Sequence, residues 1–216
     1  PFDICGKIVV ATHESEVGAL RELEARGAAN GLVAMRRVNP VEIRDYEPHV
    51  VGVEGLLVPE TGIVDYTAVC EKYLRRIQKA GGEVLVNQRV IDVSNNYDHA
   101  NVVTQNDSWQ SKIVVTCGGL QSDRIARLTV EDLDVRIIPF RGEYFTLRDE
   151  ARQLINNLVY PVPNANFPFL GVHFTRMIGG GVECGPNAVL ALAREGYRKV
   201  DFNAVDTWET ITWPGF

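Results

Sequence analysis

The chain has 216 residues, 45% of them hydrophobic and 23% charged, with a formal net charge of −6, enough to build a core for one medium domain or two small lobes and unlike a disordered chain. No basic run is longer than the pairs Arg36-Arg37 and Arg75-Arg76, which excludes an electrostatic footprint for nucleic acid or an anionic membrane and leaves small molecules as the expected partners. Four scattered cysteines without a CxxC pair and four histidines without ligand spacing give no disulfide framework and no metal centre, no apolar run approaches the roughly 18 residues of a membrane span, and a reducing, cytoplasmic setting is the default.

The chain opens at Pro1 and runs directly into the strand-like CGKIVVAT (5–12). It stops at ITWPGF just after a helix-like stretch, so it reads as a piece cut at both ends. HESEVGALRELEARGAAN (13–30) spaces Val17, Leu20 and Leu23 three residues apart among charges, a surface helix stopped by Gly27 and Gly31. PVEIRDYEP (40–48) is a short helix bracketed by proline, and GLLVPETGIVDY (55–66) is extended around a turn at Glu60-Thr61-Gly62. In 67–93, Val69, Tyr73, Leu74 and Ile77 share a helical face, Gly81-Gly82 end the helix, and EVLVN (83–87) reads as a buried strand, a helix–strand unit of α/β type.

NVVTQND (101–107) and WQSKIVVTCGG (109–119) predict a hairpin and a second buried strand, followed by the helix QSDRIARLT (121–129) with Ser122 as its cap. After Val130 the texture becomes alternating: VRIIPFRGEYFTL (135–147), NLVYPVP (157–163), FLGVHFT (169–175) and MIGGGVECGP (177–186). These predict an antiparallel sheet with a hairpin at residues 179–181. The fold class is therefore α/β and α+β, with two intermingled lobes, an incomplete Rossmann-like α/β lobe and a mainly antiparallel one.

Two groups of residues carry candidate chemistry. KIVVTCGGLQSD (112–123) is an apolar run, a small-residue turn and a helix start, where glycines let backbone N–H groups approach a phosphate. Any strand–helix turn uses glycine equally well, and no complete GxGxxG is present, so a dinucleotide would be held largely by other residues. The second group, Arg141, Tyr144, Tyr160, His173, Arg176 and Asn187, falls on the antiparallel strands. Guanidinium forks match carboxylates, while tyrosine and histidine orient or deprotonate a hydroxyl. His173 between Val172 and Phe174 equally suits a satisfied core histidine, Arg176 a solvated turn charge and Asn187 a turn former. Cys117 and Cys184 read as structural.

The runs CGKIVVAT, EPHVVGVEGLLVPETGIVDY, IVVTCGGLQSDRIA, VRIIPFRGEYF and YPVPNANFPFLGVHFTRMIGGGVECGPNAVLALAREGY closely resemble, in order, those of the L-2-hydroxyglutarate dehydrogenase/oxidase family of D-amino-acid-oxidase-like FAD-dependent oxidoreductases. The resemblance implies oxidation of L-2-hydroxyglutarate to 2-oxoglutarate by hydride transfer to FAD, electrons then leaving to oxygen, a quinone or a carrier protein. It also implies a βαβ unit bearing GxGxxG, a segment with an active-site histidine and a C-terminal stretch closing over the flavin, none of which is in these 216 residues. Residues 1–66 would then be the first part of a substrate domain, 67–128 part of the FAD domain, and 129–216 the rest of the substrate domain. This piece alone is expected to bind FAD poorly and to be inactive, the intact enzyme being cytoplasmic or peripheral to a membrane.

Residue by residue, the resemblance gives Val90 a backbone contact to the adenine part of FAD. Thr116, Cys117, Gly118 and Gly119 match the small-residue turn beside the cofactor. The family more often reads TCAGLYSD there, so Gly118 and Gln121 depart from it. Arg141 and Gly142 match a PxRG run, and Tyr160 and His173 are the expected catalytic pair, with Arg141, Tyr144 and Asn187 as substrate contacts. Two other functions stay open: a related FAD-dependent amino-acid or amine oxidase of glycine-oxidase type, and a binding module without catalysis.

Overall fold

The computed structural model describes residues 1–164, 167, 169 and 171–216. In chain order its strands and helices are β1 (Phe2–Asp3), β2 (Lys7–Ala11), α1 (Val17–Ala29), β3 (Arg36–Val38), α2 (Pro40–Tyr46), β4 (Glu54–Val58), β5 (Ile63–Val64), α3 (Tyr66–Lys79), β6 (Val90–Asn95), β7 (Ala100–Thr104), β8 (Ser108–Ser111), α4 (Ser122–Ala126), β9 (Phe140–Thr146), β10 (Leu158–Pro161), β11 (His173–Arg176), β12 (Val182–Leu190) and α5 (Ala204–Ile211). They form two compact units, the first made of Pro1–Arg75 with Gly142–Ala188 and the second of Arg76–Arg141 with Val189–Phe216.

The first unit is organised on a sheet of strand order β3-β4-β2-β10-β11-β12-β9. The run Ile8-Val9-Val10-Ala11 is apolar at consecutive positions because both faces of its strand are covered. Ile8 and Val10 meet Val38, Ile43, Leu57, Val159 and Val182 on one face. Val9 and Ala11 meet Leu56, Val58 and, from α1, Val17 and Leu20 on the other. The expected hairpin at 179–181 is present, joining β11 to β12 in antiparallel register. One pairing departs from the expected antiparallel pattern: β10 runs parallel to β2, with Tyr160 opposite Val9. A parallel pair needs a long crossover, and here the connection passes through residues 76–141 of the second unit.

Helix α2 begins as its sequence dictates. The Asn39 side chain accepts the N–H groups of Val41 and Glu42 at 2.9 and 3.1 Å, and Glu42 accepts the N–H of Asn39 at 2.9 Å, a capping box worth about 1 kcal/mol. Just beyond its end, Glu47 is fully buried. Its carboxylate accepts the N–H groups of Asn156 and Asn157 at 3.0 and 2.7 Å and the Asn157 side-chain amide at 3.1 Å. That clamp fixes the entry to β10, the strand that carries Tyr160.

The second unit holds the antiparallel meander β6-β7-β8 and the short helices α4 and α5. Its centre is a network of ions. Arg194 is 4% exposed and forks the Asp123 carboxylate, with Nη2 at 2.7 Å from Oδ2, while its Nη1 also donates to the Leu120 carbonyl at 2.7 Å. Arg124 pairs with Asp206 and Glu209 at 2.5 and 2.7 Å, and the Arg194 N–H donates to Asp206 at 2.8 Å. These bonds tie 189–216 to 76–141 within this unit.

Three local expectations are corrected. Residues 83–87 and 113–117 form no strand and pair with none among the described residues, 83–87 ending in a bend with Asn87 at φ 59°, and Val86, Ile113 and Val115 are 75%, 76% and 79% exposed. Both runs have the composition of buried sheet strands, but no strand among the described residues lies beside them to bury them. The expected helix over the Val69-to-Ile77 face forms as α3, yet none of its residues is buried. Ser122 does not cap its helix; its hydroxyl donates to the Gly119 carbonyl at 2.8 Å across a preceding 3₁₀ turn.

Candidate functional site

Strand alternation puts Lys7, Val9 and Ala11 on one face of the first unit's sheet. Helix α1 packs over the Val9 and Ala11 end. Beside it the same face carries Tyr160 from β10, opposite Val9, and His173 from β11, with ring centroids 4.1 Å apart and planes inclined by 17°. The Lys7 ammonium sits 5.0 Å from the centre of the Tyr160 ring. This cluster comes from three adjacent strands in the order β2, β10, β11.

His173 is 5% exposed, and its Nδ1 lies 2.9 Å from the Gly171 carbonyl. A carbonyl only accepts, so Nδ1 carries the proton in the neutral ring and Nε2 holds the lone pair. Nε2 has no hydrogen-bond partner among the described residues. Burial pushes the Tyr160 phenol up from its ordinary pKa, with the Thr175 side chain opposing and Tyr144 adding to the rise. Tyr160 is therefore a neutral hydrogen-bond donor throughout the physiological range.

Tyr144 reaches this neighbourhood because two glycines make room for its ring. A Cβ at Gly185 would lie 2.8 Å from Tyr144 Cδ1 and 2.9 Å from the Glu143 carbonyl, and one at Gly142 would lie 3.2 Å from Tyr144 Cε2. Asn187 is exposed on β12, two residues beyond Gly185, the register partner of His173. Arg176 pairs with Asp3 and, one residue beyond Thr175, belongs to the opposite face of the sheet. Arg141 falls in the second unit, where Nη1 donates to the carbonyls of Gly196 and Arg198 at 3.3 and 3.2 Å. The first unit thus gathers Tyr160, His173 and Tyr144. Sequence reasoning missed Lys7, whose signal is a lone cation opening an otherwise apolar strand.

The expected cofactor residues lie in the second unit. At Gly119 φ is +51° and an added Cβ would meet nothing within 4 Å, whereas at Gly118 it would lie 2.3 Å from Ile125 Cδ1. Gly118 thus lets the turn pack on α4, and Gly119 leaves its outer side open to approach. The stretch 113–117 uses none of its N–H groups in a sheet ladder among the described residues. A flat or anionic group fits these features. Val90, the first residue of β6, borders a cleft of about 1090 Å³ together with Gln121, Arg124 and Arg194. Thr116 borders a different depression, with Lys112 and Thr129.

Burial by itself would raise the Asp123 carboxyl, but the Arg194 guanidinium and the Ile137 and Arg124 N–H groups hold it far below the usual carboxylate range. Asp206 is likewise held low against its burial by the Arg194 N–H and the Arg124 side chain. These acids are ionised structural anchors. Among the described residues no group of three or more His, Cys, Asp or Glu is placed to hold a metal ion, and no helix is long and apolar enough to cross a membrane.

The family model described as FAD dependent oxidoreductase, DAO, matches residues 1–213. The chain is 48% identical over its whole length to a protein of Indibacter alkaliphilus named L-2-hydroxyglutarate dehydrogenase, covering 54% of that relative. It is 43% identical to an Escherichia coli protein of the same name, with 97% of this chain and 50% of the relative covered. The chain thus spans about half the length of the curated relatives it matches. Among solved structures, L-proline dehydrogenase from P. horikoshii shares the fold, with a TM-score of 0.71 at 15% identity over 99% of this chain and 55% of that one.

Proposed function

The chain belongs to the FAD dependent oxidoreductase family, and we propose that the whole protein oxidises L-2-hydroxyglutarate to 2-oxoglutarate. The relatives' shared name supports the substrate, and the stacked Tyr160–His173 pair, with its Nε2 lone pair unclaimed among the described residues, supports the chemistry. When bound, FAD supplies the acceptor for the hydride that leaves the α-carbon. Val90, Thr116, Cys117, Gly118 and Gly119 would contribute to holding it, through backbone groups and the open side of the glycine turn.

The proton chemistry falls to the first unit. Nε2 of His173 accepts the α-hydroxyl proton as the carbonyl forms, and the Nδ1–H bond to Gly171 fixes the ring so that the lone pair stays in place. The Tyr160 hydroxyl donates a hydrogen bond to the substrate and, through its stack, keeps the imidazole plane from turning. Tyr144 and Asn187 line the approach on β9 and β12. Arg141 has a positioning role, bracing the 196–198 turn. In the whole protein, His173→Ala should lower kcat/KM by about 10²- to 10⁴-fold, the usual worth of a positioned base. Unchanged kinetics in the Tyr160→Phe/His173→Ala double variant would sink the assignment.

A further inference from the structure

We propose that Lys7 is a substrate-binding residue, the cation that receives the carboxylate remote from the reacting hydroxyl. The inference rests on the function proposed above and assigns its second anionic group. Lys7 is half-buried on a strand whose other residues are apolar, and no carboxylate pairs with it among the described residues. Its one described polar interaction is with the face of the Tyr160 ring, at 5.0 Å. A half-buried ammonium without a counter-ion is costly, and burial accordingly pushes its pKa down. A carboxylate arriving from a substrate would reverse that penalty.

The strand order decides which carboxylate it is. β10 lies between β2 and β11, so Tyr160 stands between Lys7 and His173. With His173 at the hydroxyl of the reacting carbon, the group reaching past Tyr160 to Lys7 is the one further along the chain. A 2-hydroxy acid with a second carboxylate spans the cluster; one with a methyl there leaves Lys7 unpaired. Lys7 is thus a determinant of diacid specificity, and Tyr160 serves both ends of the substrate.

The test uses the whole protein, with glutarate and butyrate as non-oxidisable probes in calorimetric titrations and L-2-hydroxyglutarate and 2-hydroxyvalerate as substrates. Lys7→Met keeps the apolar stem against Tyr160 and removes the charge. It should weaken glutarate binding at least tenfold and leave butyrate unchanged, with the same selective loss in kcat/KM for the diacid and recovery in Lys7→Arg. Equal weakening of both probes, or no change in glutarate binding, would overturn the proposal. If the wild-type protein binds glutarate selectively but does not oxidise L-2-hydroxyglutarate, the function fails while the diacid site stands. If it oxidises L-2-hydroxyglutarate and Lys7→Met retains the diacid preference, the function stands and the role of Lys7 fails.

Discussion

Replacing Arg194 by Met removes the central cation of the second unit while keeping most of its volume. Asp123, 5% exposed, would lose its bidentate partner and keep only the Ile137 and Arg124 N–H groups, at 3.2 and 2.9 Å, and a long contact to Arg127 at 3.5 Å. Removing one member of a buried pair strands the other charge and costs about 3–5 kcal/mol. The cost depends on pH in a defined direction. The Asp123 pKa is depressed in the folded state, so its pairing contributes stability above the unfolded value of about 3.9 and loses it as pH falls toward the folded one. The deficit of Arg194→Met should therefore be largest near neutrality and shrink below about pH 4. All three tryptophans, Trp109, Trp208 and Trp213, lie in the second unit, so urea unfolding followed by their fluorescence reads this region. A loss under 1 kcal/mol at pH 7, or a deficit that grows on acidification, would refute the ion network as the unit's anchor.

Two further outcomes follow from the first unit. Glu47→Gln puts an amide where three donors converge on a carboxylate and should destabilise by about 2–4 kcal/mol, discounted because the asparagines are partly exposed; a midpoint unchanged in thermal unfolding would contradict the clamp. Gly185→Ala drives a methyl group to within 2.8 Å of Tyr144, which should cost about 1–3 kcal/mol and raise KM by displacing that ring. A KM equal to wild type would show that Tyr144 does not line the site.

What was legible in the sequence is what local periodicity encodes. The spacing of Val17, Leu20 and Leu23 gave α1, Pro40 opens α2, and the three glycines at 179–181 join β11 to β12. The parallel seam between β2 and β10 was not legible, because neither strand's own pattern names a partner so far along the chain. Residues 83–87 and 113–117 were misread for a related reason: an apolar run signals a buried strand only when another strand lies beside it. Tyr160 and His173 could be chosen from the sequence, but their stacking and the fixed tautomer of His173 could not. Lys7, Glu47 and the Arg194–Asp123 pair were missed because each acts on residues about 70 to 150 positions away. Arg194 had left one trace, a charge inside the apolar AVLALAREGY.

The proposed function is tested most directly by mixing the whole protein, loaded with FAD, with L-2-hydroxyglutarate in the absence of oxygen and following the flavin absorbance. Bleaching of the oxidised flavin band, with one 2-oxoglutarate formed per flavin and no ammonia, is the expected result. A flavin that stays oxidised with the hydroxy acid but is bleached by an amino acid with release of ammonia would contradict it.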